Sequence, residues 1–487
     1  MLALRKAAGT LIATLKNDLI LKNRKYIVFN VSEKRFRRRF RTKEKLKNLR
    51  RRRYLEFVNL KKLIDSVEAN EQRSDKFIPV NLSYLLSCEN SDFHIDKITK
   101  NIPNNNGNFK VPKDFSIVDF PKESFKFIKE VLGALITQKY PIVNIDYSEC
   151  IRLDLGAQVF FDIILKDVIK FFKRCEPYKK LRPKVKEING INVRDKNVQK
   201  LLFSVGSPVI HTNKQFNFTD IISYKLCIHD REVNGDPIKI REQKDLDTTK
   251  LVDYVIDSLK TLNRTLTPDR LDDLSTVIGE ILINAEEHST TKHRFSIGYF
   301  HEINEDGKHY GVFRLTILNF GKTIYEKFKD PDCPNKDVVD KMRALSEQYT
   351  KKKFFIIKGF EEETLWTLYA LQDGVTSVAP DRYLKRGNGS IQFIESFFNI
   401  KGNNKAVDDF STLAILSGNT SIIFDGTYNI TNGHVDGEPY KFMTFNDSGL
   451  IEDKPDPNFV KFVDHYFPGT IISARIMFNE DDLTIET

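Results

Sequence analysis

The chain has 487 residues, 40% of them hydrophobic, so it is long enough to bury a large core in two or three domains. Its five cysteines are widely spaced and form no Cys-x-x-Cys pair, which argues against a disulfide framework or a zinc site and indicates a reducing compartment. No apolar run approaches the roughly 18–20 residues of a membrane span, so we expect a soluble, cytoplasmic protein.

The net charge of +10 is concentrated near the N-terminus. Between Lys22 and Lys62 there are 18 Lys and Arg against three Glu, with Phe36, Phe40 and Tyr54 among the basic residues. Guanidinium groups beside aromatic rings suit phosphate neutralisation and base stacking, so this stretch predicts nucleic-acid binding. A solvated helix, an acidic protein partner and an anionic membrane surface remain open alternatives.

Changes in composition and turn-rich stretches divide the chain into segments. The predicted segments are a basic, mainly helical N-terminal segment (1–75), a polar linker (76–108), an α/β domain (109–235), a second linker (236–250) and a C-terminal domain (251–480).

The predicted domain 109–235 alternates strand and helix patterns. A short strand ends in Asp146 and is followed by Ser148, and a helix with an apolar face begins after Asp154. This arrangement resembles the STAS domain of anti-sigma-factor antagonists, and the resemblance implies a protein partner. Leu155 stands where the regulatory members carry a phosphorylated Ser or Thr, so only the fold is carried over.

The stretch from Thr267 to Ser289 has strong signals for an amphipathic helix. Thr267 can cap it, Pro268 suits its first position, and apolar residues recur at helical spacing. Glu280, Asn284 and His288 are four residues apart, so they share one face of the helix.

This row of residues resembles the N-box of the Bergerat-type (GHKL, histidine-kinase-like) ATPases, the superfamily of type II topoisomerases, sensor histidine kinases and anti-sigma serine kinases. The resemblance implies an α/β sandwich with a mixed sheet. It also implies that Glu280 activates a water or hydroxyl as general base and that Asn284 ligates Mg²⁺. His288 either contacts a lid or caps the helix, and both interpretations stay open.

A strand hairpin is predicted after the helix, from His293 to Leu318, and it ends in Asn-Phe-Gly-Lys-Thr. In the family the corresponding strand ends in Asp-x-Gly-x-Gly, whose Asp accepts a hydrogen bond from the adenine amino group. Asn319 holds that position and can still accept, Gly321 is kept, and Thr323 replaces the second glycine. An ordinary turn at the end of a strand is the alternative.

Further along, a Gly-x-Gly turn opens a predicted helix, which is a suitable place for an anion. In the family a lid ending in Arg-Gly-x-Gly covers the triphosphate. The residues at the lid positions are Thr376, Ser377, Lys385, Arg386, Gly387 and Gly389. The last predicted strand, behind Pro468 and Gly469, resembles the closing Gly-Thr strand of sensor-kinase ATPase domains.

These motifs occur in the order of the family, and the resemblance implies an ATPase that uses ATP and Mg²⁺. Coupling to nucleic acid through the basic stretch is the favoured role. A serine protein kinase of the anti-sigma type and a nucleotide-gated binding module with little catalysis are the alternatives. By analogy with the family we also expect a homodimer.

Overall fold

The computed structural model describes residues 78–100, 102–176, 182–210, 218, 220–230, 237–288, 291, 293–305, 308–350, 360–377, 387, 389–401, 411–435, 438–478 and 483–485. All of them belong to one compact unit, Asn70–Thr487. The predicted basic segment 1–75, including Lys22–Lys62, lies outside the described residues.

The first half of the unit alternates short strands with helices. Its elements are α1 (Val80–Ser87), α2 (Ile95–Ile98), β1 (Asn108–Lys110), β2 (Asp114–Phe115), α3 (Pro121–Ile136), β3 (Ile142–Asp146), β4 (Arg152–Leu153), α4 (Leu155–Cys175), β5 (Glu187–Ile191), α5 (Lys196–Ser204) and β6 (Ile221–Asp230).

The second half has longer strands. Its elements are α6 (Pro237–Lys260), β7 (Arg264–Leu266), α7 (Pro268–His288), β8 (His293–Glu305), β9 (Lys308–Phe320), α8 (Ile324–Lys329), α9 (Lys336–Thr350), α10 (Glu362–Tyr369), α11 (Gly389–Lys401), β10 (Thr412–Phe424), β11 (Thr431–Val435), β12 (Glu438–Phe442), β13 (Val460–Met477) and β14 (Leu483–Ile485). The helix predicted from Thr267 to Ser289 and the hairpin predicted after it are confirmed as α7 and β8–β9.

The main sheet joins strands in the order β10-β13-β9-β8-β6, and each neighbouring pair is antiparallel. A smaller sheet, β1-β3-β5, is parallel, and so is the pair β2–β4. The expected α/β fold is therefore confirmed. The main sheet, which was expected to be mixed, is antiparallel between all its described strands, and the parallel pairs belong to separate sheets in the first half of the unit.

Both faces of the main sheet are covered. On its inner face, apolar residues of β9, β13 and β10 pack with those of α6, α7, α10 and α11 in one buried cluster. On its outer face, α3 contacts β13, and α4 contacts β9 and β13. Phe160 of α4 lies 6.0 Å from Phe320 and 5.1 Å from Phe467, ring centroid to ring centroid. The sheet is thus the middle layer of a three-layer unit.

The segments expected to be linkers contain regular structure. Residues 78–100, inside the expected linker 76–108, include α1 and α2, and their apolar side chains are buried. The expected linker 236–250 overlaps the first part of α6. Strand β6, inside the expected domain 109–235, pairs with β8 at the edge of the main sheet. The two expected domains therefore share a sheet within one compact unit.

No helix in the described ranges combines the length and apolarity needed to cross a bilayer. Helix α4 is instead buried along most of its length against protein, and it carries polar residues inward. Asp162 is 3% exposed, and its Oδ1 accepts from Ser207 Oγ at 2.7 Å and from Gln158 Nε2 at 2.8 Å. Burial raises the pKa of Asp162 to about 7, although the hydrogen bonds from Ser207 and Gln158 oppose this rise.

This raised pKa predicts a pH-dependent stability. From an ordinary carboxyl pKa of about 4 up to about 7, the folded chain keeps a proton on Asp162 that the unfolded chain releases. The free energy of unfolding therefore falls as pH rises through this window. Asp162→Asn keeps the accepting oxygen and removes the titration, so at pH 8 it should raise the free energy of unfolding by on the order of 1–4 kcal/mol.

Urea unfolding at pH 5 and pH 8 measures this effect. Asp257→Asn, at a well-exposed carboxylate, is the matched control and should follow the wild type at both pH values. A wild-type pH dependence that persists unchanged in Asp162→Asn would contradict the assignment.

Candidate functional site

Helix α7 places the carboxylate of Glu280 at the start of α11. A Cβ atom added to Gly389, the first residue of α11, would lie 2.0 Å from Oε2 of Glu280. The glycine therefore leaves the space that the carboxylate occupies. A carboxylate at this position interacts favourably with the positive end of the helix dipole. The structure thus brings Glu280 and Gly389, the second glycine of the Gly-x-Gly turn, together.

The first glycine of that turn contacts a different segment. Gly387 has φ +100°, and a Cβ atom there would lie 2.7 Å from the carbonyl carbon of Gly374 and 2.8 Å from the nitrogen of Val375. Both the dihedral angle and the close approach require glycine.

The residues after Val375 are held by the loop before α9. Asn335 Nδ2 donates to the carbonyl oxygen of Thr376 at 2.9 Å, and Cys333 Sγ lies 3.7 Å from that of Ser377. Thr376 and Ser377 therefore follow directly on the backbone against which Gly387 packs.

Asn319 ends the inner face of strand β9. Phe313, Leu315 and Ile317 belong to the buried cluster under α7, and by alternation Asn319 shares their face. It pairs in register with Arg294 of β8 and with Thr470 of β13, which in turn pairs with Ser417 of β10. We call these four buried polar residues the end row: Arg294, Asn319, Thr470 and Ser417.

Hydrogen bonding is uneven along the end row. Ser417 Oγ lies 2.9 Å from Thr470 Oγ1 and accepts from the backbone nitrogen of Ile324 at 3.0 Å. Asn319 is fully buried, yet neither its Oδ1 nor its Nδ2 has a hydrogen-bond partner among the described residues. Leaving a buried polar group unpaired costs about 1–3 kcal/mol, which is unusual for a side chain in a sheet.

Arg294 joins the end row to helix α7. Its guanidinium donates to the carbonyl oxygen of Leu282 at 3.2 Å and to Asp247 Oδ2 at 3.0 Å. His229 Nδ1 lies 2.7 Å from the same Asp247 oxygen. Burial acts to raise the pKa of Asp247, but the bonds from His229, Gln243 and Arg294 together hold it below its usual range. No local sequence pattern predicts this buried cluster, because it joins residues of three separate elements.

The residues after Asn319 explain how this chain departs from Asp-x-Gly-x-Gly. Gly321 is kept, with φ +143°, and its nitrogen donates to the carbonyl oxygen of Pro468 at 3.3 Å. Thr323 is the N-cap of α8 and forms a capping box with Glu326. The backbone nitrogen of Glu326 donates to Thr323 Oγ1 at 3.1 Å, and the backbone nitrogen of Thr323 donates to the Glu326 carboxylate at 2.9 Å. The second glycine is thus replaced by a residue that starts a helix.

Several predicted residues are placed only in part. The backbone of Asn284 and His288 lies on α7, but their side chains fall outside what the structure describes. Lys385 and Arg386 also lie outside the described residues. The described part of the candidate site therefore comprises Glu280, the two turn glycines, Thr376 and Ser377, and the end row with Gly321.

No family model matches the chain, and no curated protein or solved structure does either. The assignment of this site accordingly depends on the residues and geometry described above.

The two turn glycines should respond differently to alanine. Gly387→Ala should lower the free energy of unfolding by about 1–3 kcal/mol, because its dihedral angle and neighbouring backbone both oppose a Cβ atom. Gly389→Ala should only displace the flexible end of the Glu280 side chain. The lost interaction of its carboxylate with the helix dipole costs about 0.3–1 kcal/mol, and the higher helix propensity of alanine offsets this loss by a similar amount. Its stability should stay near the wild type.

Urea unfolding of both variants checks the contrast. Gly389→Ala in a Glu280→Ala background serves as the control, since no carboxylate then remains to be displaced. Equal losses of stability in the two single variants would show that the contact between Glu280 and Gly389 is wrongly assigned.

Proposed function

We propose that the chain binds ATP with Mg²⁺ between α7 and the end of the main sheet, in the manner of the Bergerat-type ATPases, and hydrolyses it. The observation that carries the proposal is Asn319, a fully buried amide with no hydrogen-bond partner among the described residues, at the position where the family reads adenine.

An asparagine amide fits the edge of adenine. Its oxygen can accept from the exocyclic amino group while its nitrogen donates to a ring nitrogen, and such two-point contacts are common in adenine recognition. Because both atoms of Asn319 lack partners, a bound base would relieve their desolvation cost. The asparagine therefore supports adenine binding without the charge of the usual aspartate.

The other end of the proposed site suits phosphate groups. The Gly387–Gly389 turn leads into α11, and a helix N-terminus preceded by glycine offers backbone N–H groups to an anion. Glu280 already lies at this terminus, which is where a general base for an attacking water is needed.

The proposed ion would depend on Asn284 and on the nucleotide itself. Within the described ranges no group of three or more His, Cys, Asp or Glu is arranged to hold a metal. Mg²⁺ commonly binds through few protein ligands together with substrate phosphates, whose charge it neutralises.

Replacing Asn319 separates binding from folding. Asn319→Leu removes the unpartnered amide at similar volume, so the free energy of unfolding should stay unchanged or rise by up to about 1–3 kcal/mol. Affinity for ATP should fall about 10- to 100-fold, because a two-point contact with the base is lost. Calorimetric titration with ATP and urea unfolding measure the two quantities.

Asn419→Leu is the matched control for this test. Asn419 Nδ2 donates to the carbonyl oxygen of Val463 at 2.7 Å, so this variant should lose stability while keeping its affinity for ATP. Undiminished ATP binding by Asn319→Leu would refute the assignment of the base-reading residue.

Replacing Glu280 separates binding from chemistry. Glu280→Gln keeps the shape of the side chain but cannot take a proton, so kcat for ATP hydrolysis should fall about 100-fold or more with little change in ATP affinity. Glu361→Gln, at an exposed glutamate, should behave as the wild type. Turnover by Glu280→Gln at the wild-type rate would exclude this residue as the base.

The same assay distinguishes the alternative roles. Turnover that rises with added RNA or DNA favours coupling through Lys22–Lys62, which stays a prediction because it lies outside the described residues. Labelled phosphate on a protein partner favours a serine kinase, and tight binding without turnover favours a nucleotide-gated module.

A further inference from the structure

A cavity lies against the outer face of the main sheet, on the side away from α7. Its volume is about 380 Å³, within the range of small-molecule sites. Side chains of β8, β9, β13 and β10 line it on one side, and β4, the start of α4 and α5 line it on the other. None of the residues assigned to ATP in the proposed function lines it.

Two arginines face each other in this cavity. Arg314 of β9 and Arg475 of β13 are direct register partners, and both side chains are partly buried. Like charges directly opposite each other on neighbouring strands are destabilising. Burial lowers the pKa of Arg475, and the positive charges of Arg314 and Arg152 lower it further, while the carboxylates of Asp119 and Asp154 oppose this decrease. The two guanidinium groups therefore concentrate positive charge on one wall of the cavity, where a bound anion would be stabilised.

The carboxylates around the cavity have other cationic or backbone partners besides the arginine pair, whose charge they offset only in part. Asp119 lies 2.5 Å from Arg152, and Asp220, just outside the lining, bonds Lys200 and lies 3.5 Å from His301.

Asp154, the other carboxylate in the lining, caps α4 by accepting from the nitrogen of Ala157 at 3.1 Å. Burial raises its pKa.

The groups near the arginine pair are hydrogen-bond donors. Arg314 lies over the ring of Tyr299, 5.2 Å from its centroid, and its Nη1 is buried without a hydrogen-bond partner among the described residues. The hydroxyls of Thr316 and Ser473 lie 3.2 Å apart on the same face of the sheet. Helix α4 also begins at the cavity, so its positive end faces the same space.

We propose that this cavity binds a small organic phosphate monoester, with Arg314 and Arg475 holding the phosphate group. A phosphate monoester carries close to two negative charges at neutral pH and so balances two guanidinium groups, whereas a single carboxylate supplies one. Its oxygens accept the paired N–H groups of arginine in bidentate geometry. The hydroxyls of Thr316 and Ser473 complete the set of donors, and the remaining volume holds the organic part.

Thermal unfolding with three probes tests the proposal at constant ionic strength. Glycerol 3-phosphate should raise the Tm of the full chain, inorganic phosphate should raise it less, and glycerol should leave it unchanged. Calorimetric titration with glycerol 3-phosphate should give at least tenfold weaker binding for Arg314→Gln and for Arg475→Gln. Each variant loses the paired N–H donors of one guanidinium group. Arg343→Gln, which removes an exposed arginine of α9, is the control for net charge and should bind as the wild type.

The outcomes separate this site from the proposed ATP site. Asn319→Leu should keep the full response to glycerol 3-phosphate, since its side chain lies on the inner face. If a glutamine variant does not fold, Arg314→Lys and Arg475→Lys keep both charges and should still bind several-fold more weakly, because they lose bidentate geometry. No Tm shift of the wild type with glycerol 3-phosphate, or equal binding by the arginine variants, would overturn the proposal. If inorganic phosphate binds as tightly as glycerol 3-phosphate, the claim that the cavity also holds the organic part of the ligand is wrong.

Discussion

The structure depends on the main sheet being covered on both faces. Helices α6, α7, α10 and α11 bury its inner face, and α3 and α4 cover its outer face. Water is therefore excluded from much of both surfaces, and each polar side chain on them needs a partner from the protein or from a ligand. Ser417 and Thr470 find partners in each other, whereas Asn319 does not. The unsatisfied positions in this sheet are consequently informative about function.

Three glycines allow close contacts around the proposed ATP site, because they have no Cβ atom. Gly389 gives the Glu280 carboxylate access to the start of α11, and Gly387 lets the preceding turn lie on the backbone at Gly374. Gly469 does the same for the sheet, because a Cβ atom there would lie 2.1 Å from the carbonyl oxygen of Asn319. These glycines are spread over the second half of the chain, yet they act within one region around α7 and β9.

Periodicity predicted the elements well and their assembly poorly. Helix α7 and the hairpin β8–β9 agree with the predicted bounds within a few residues, because their apolar residues recur regularly. The highly charged start of α6 masks its helical period, and residues 237–250 were expected to be a linker. Nothing in the local pattern of β6 shows that it pairs with β8, and the opposition of Arg314 and Arg475 depends on a register between distant strands. The Glu280–Gly389 contact and the outer cavity both join residues that are far apart in the sequence, so local patterns predict neither.

The two candidate sites share strands β9 and β13 but use opposite faces. Arg314 and Asn319 are five residues apart on β9, an odd number, so their side chains alternate to different sides of the sheet. Their Cα atoms are separated by about 17 Å at the usual rise per residue of a strand. At that distance, without shared partners, changes to the two side chains should contribute independently to stability. Any coupling between ligands on the two faces would have to pass through the backbone of β9 and β13, whose register places Thr470 beside Asn319 and Arg475 beside Arg314. The same pair of strands thus positions both sets of polar groups while keeping their chemistry separate.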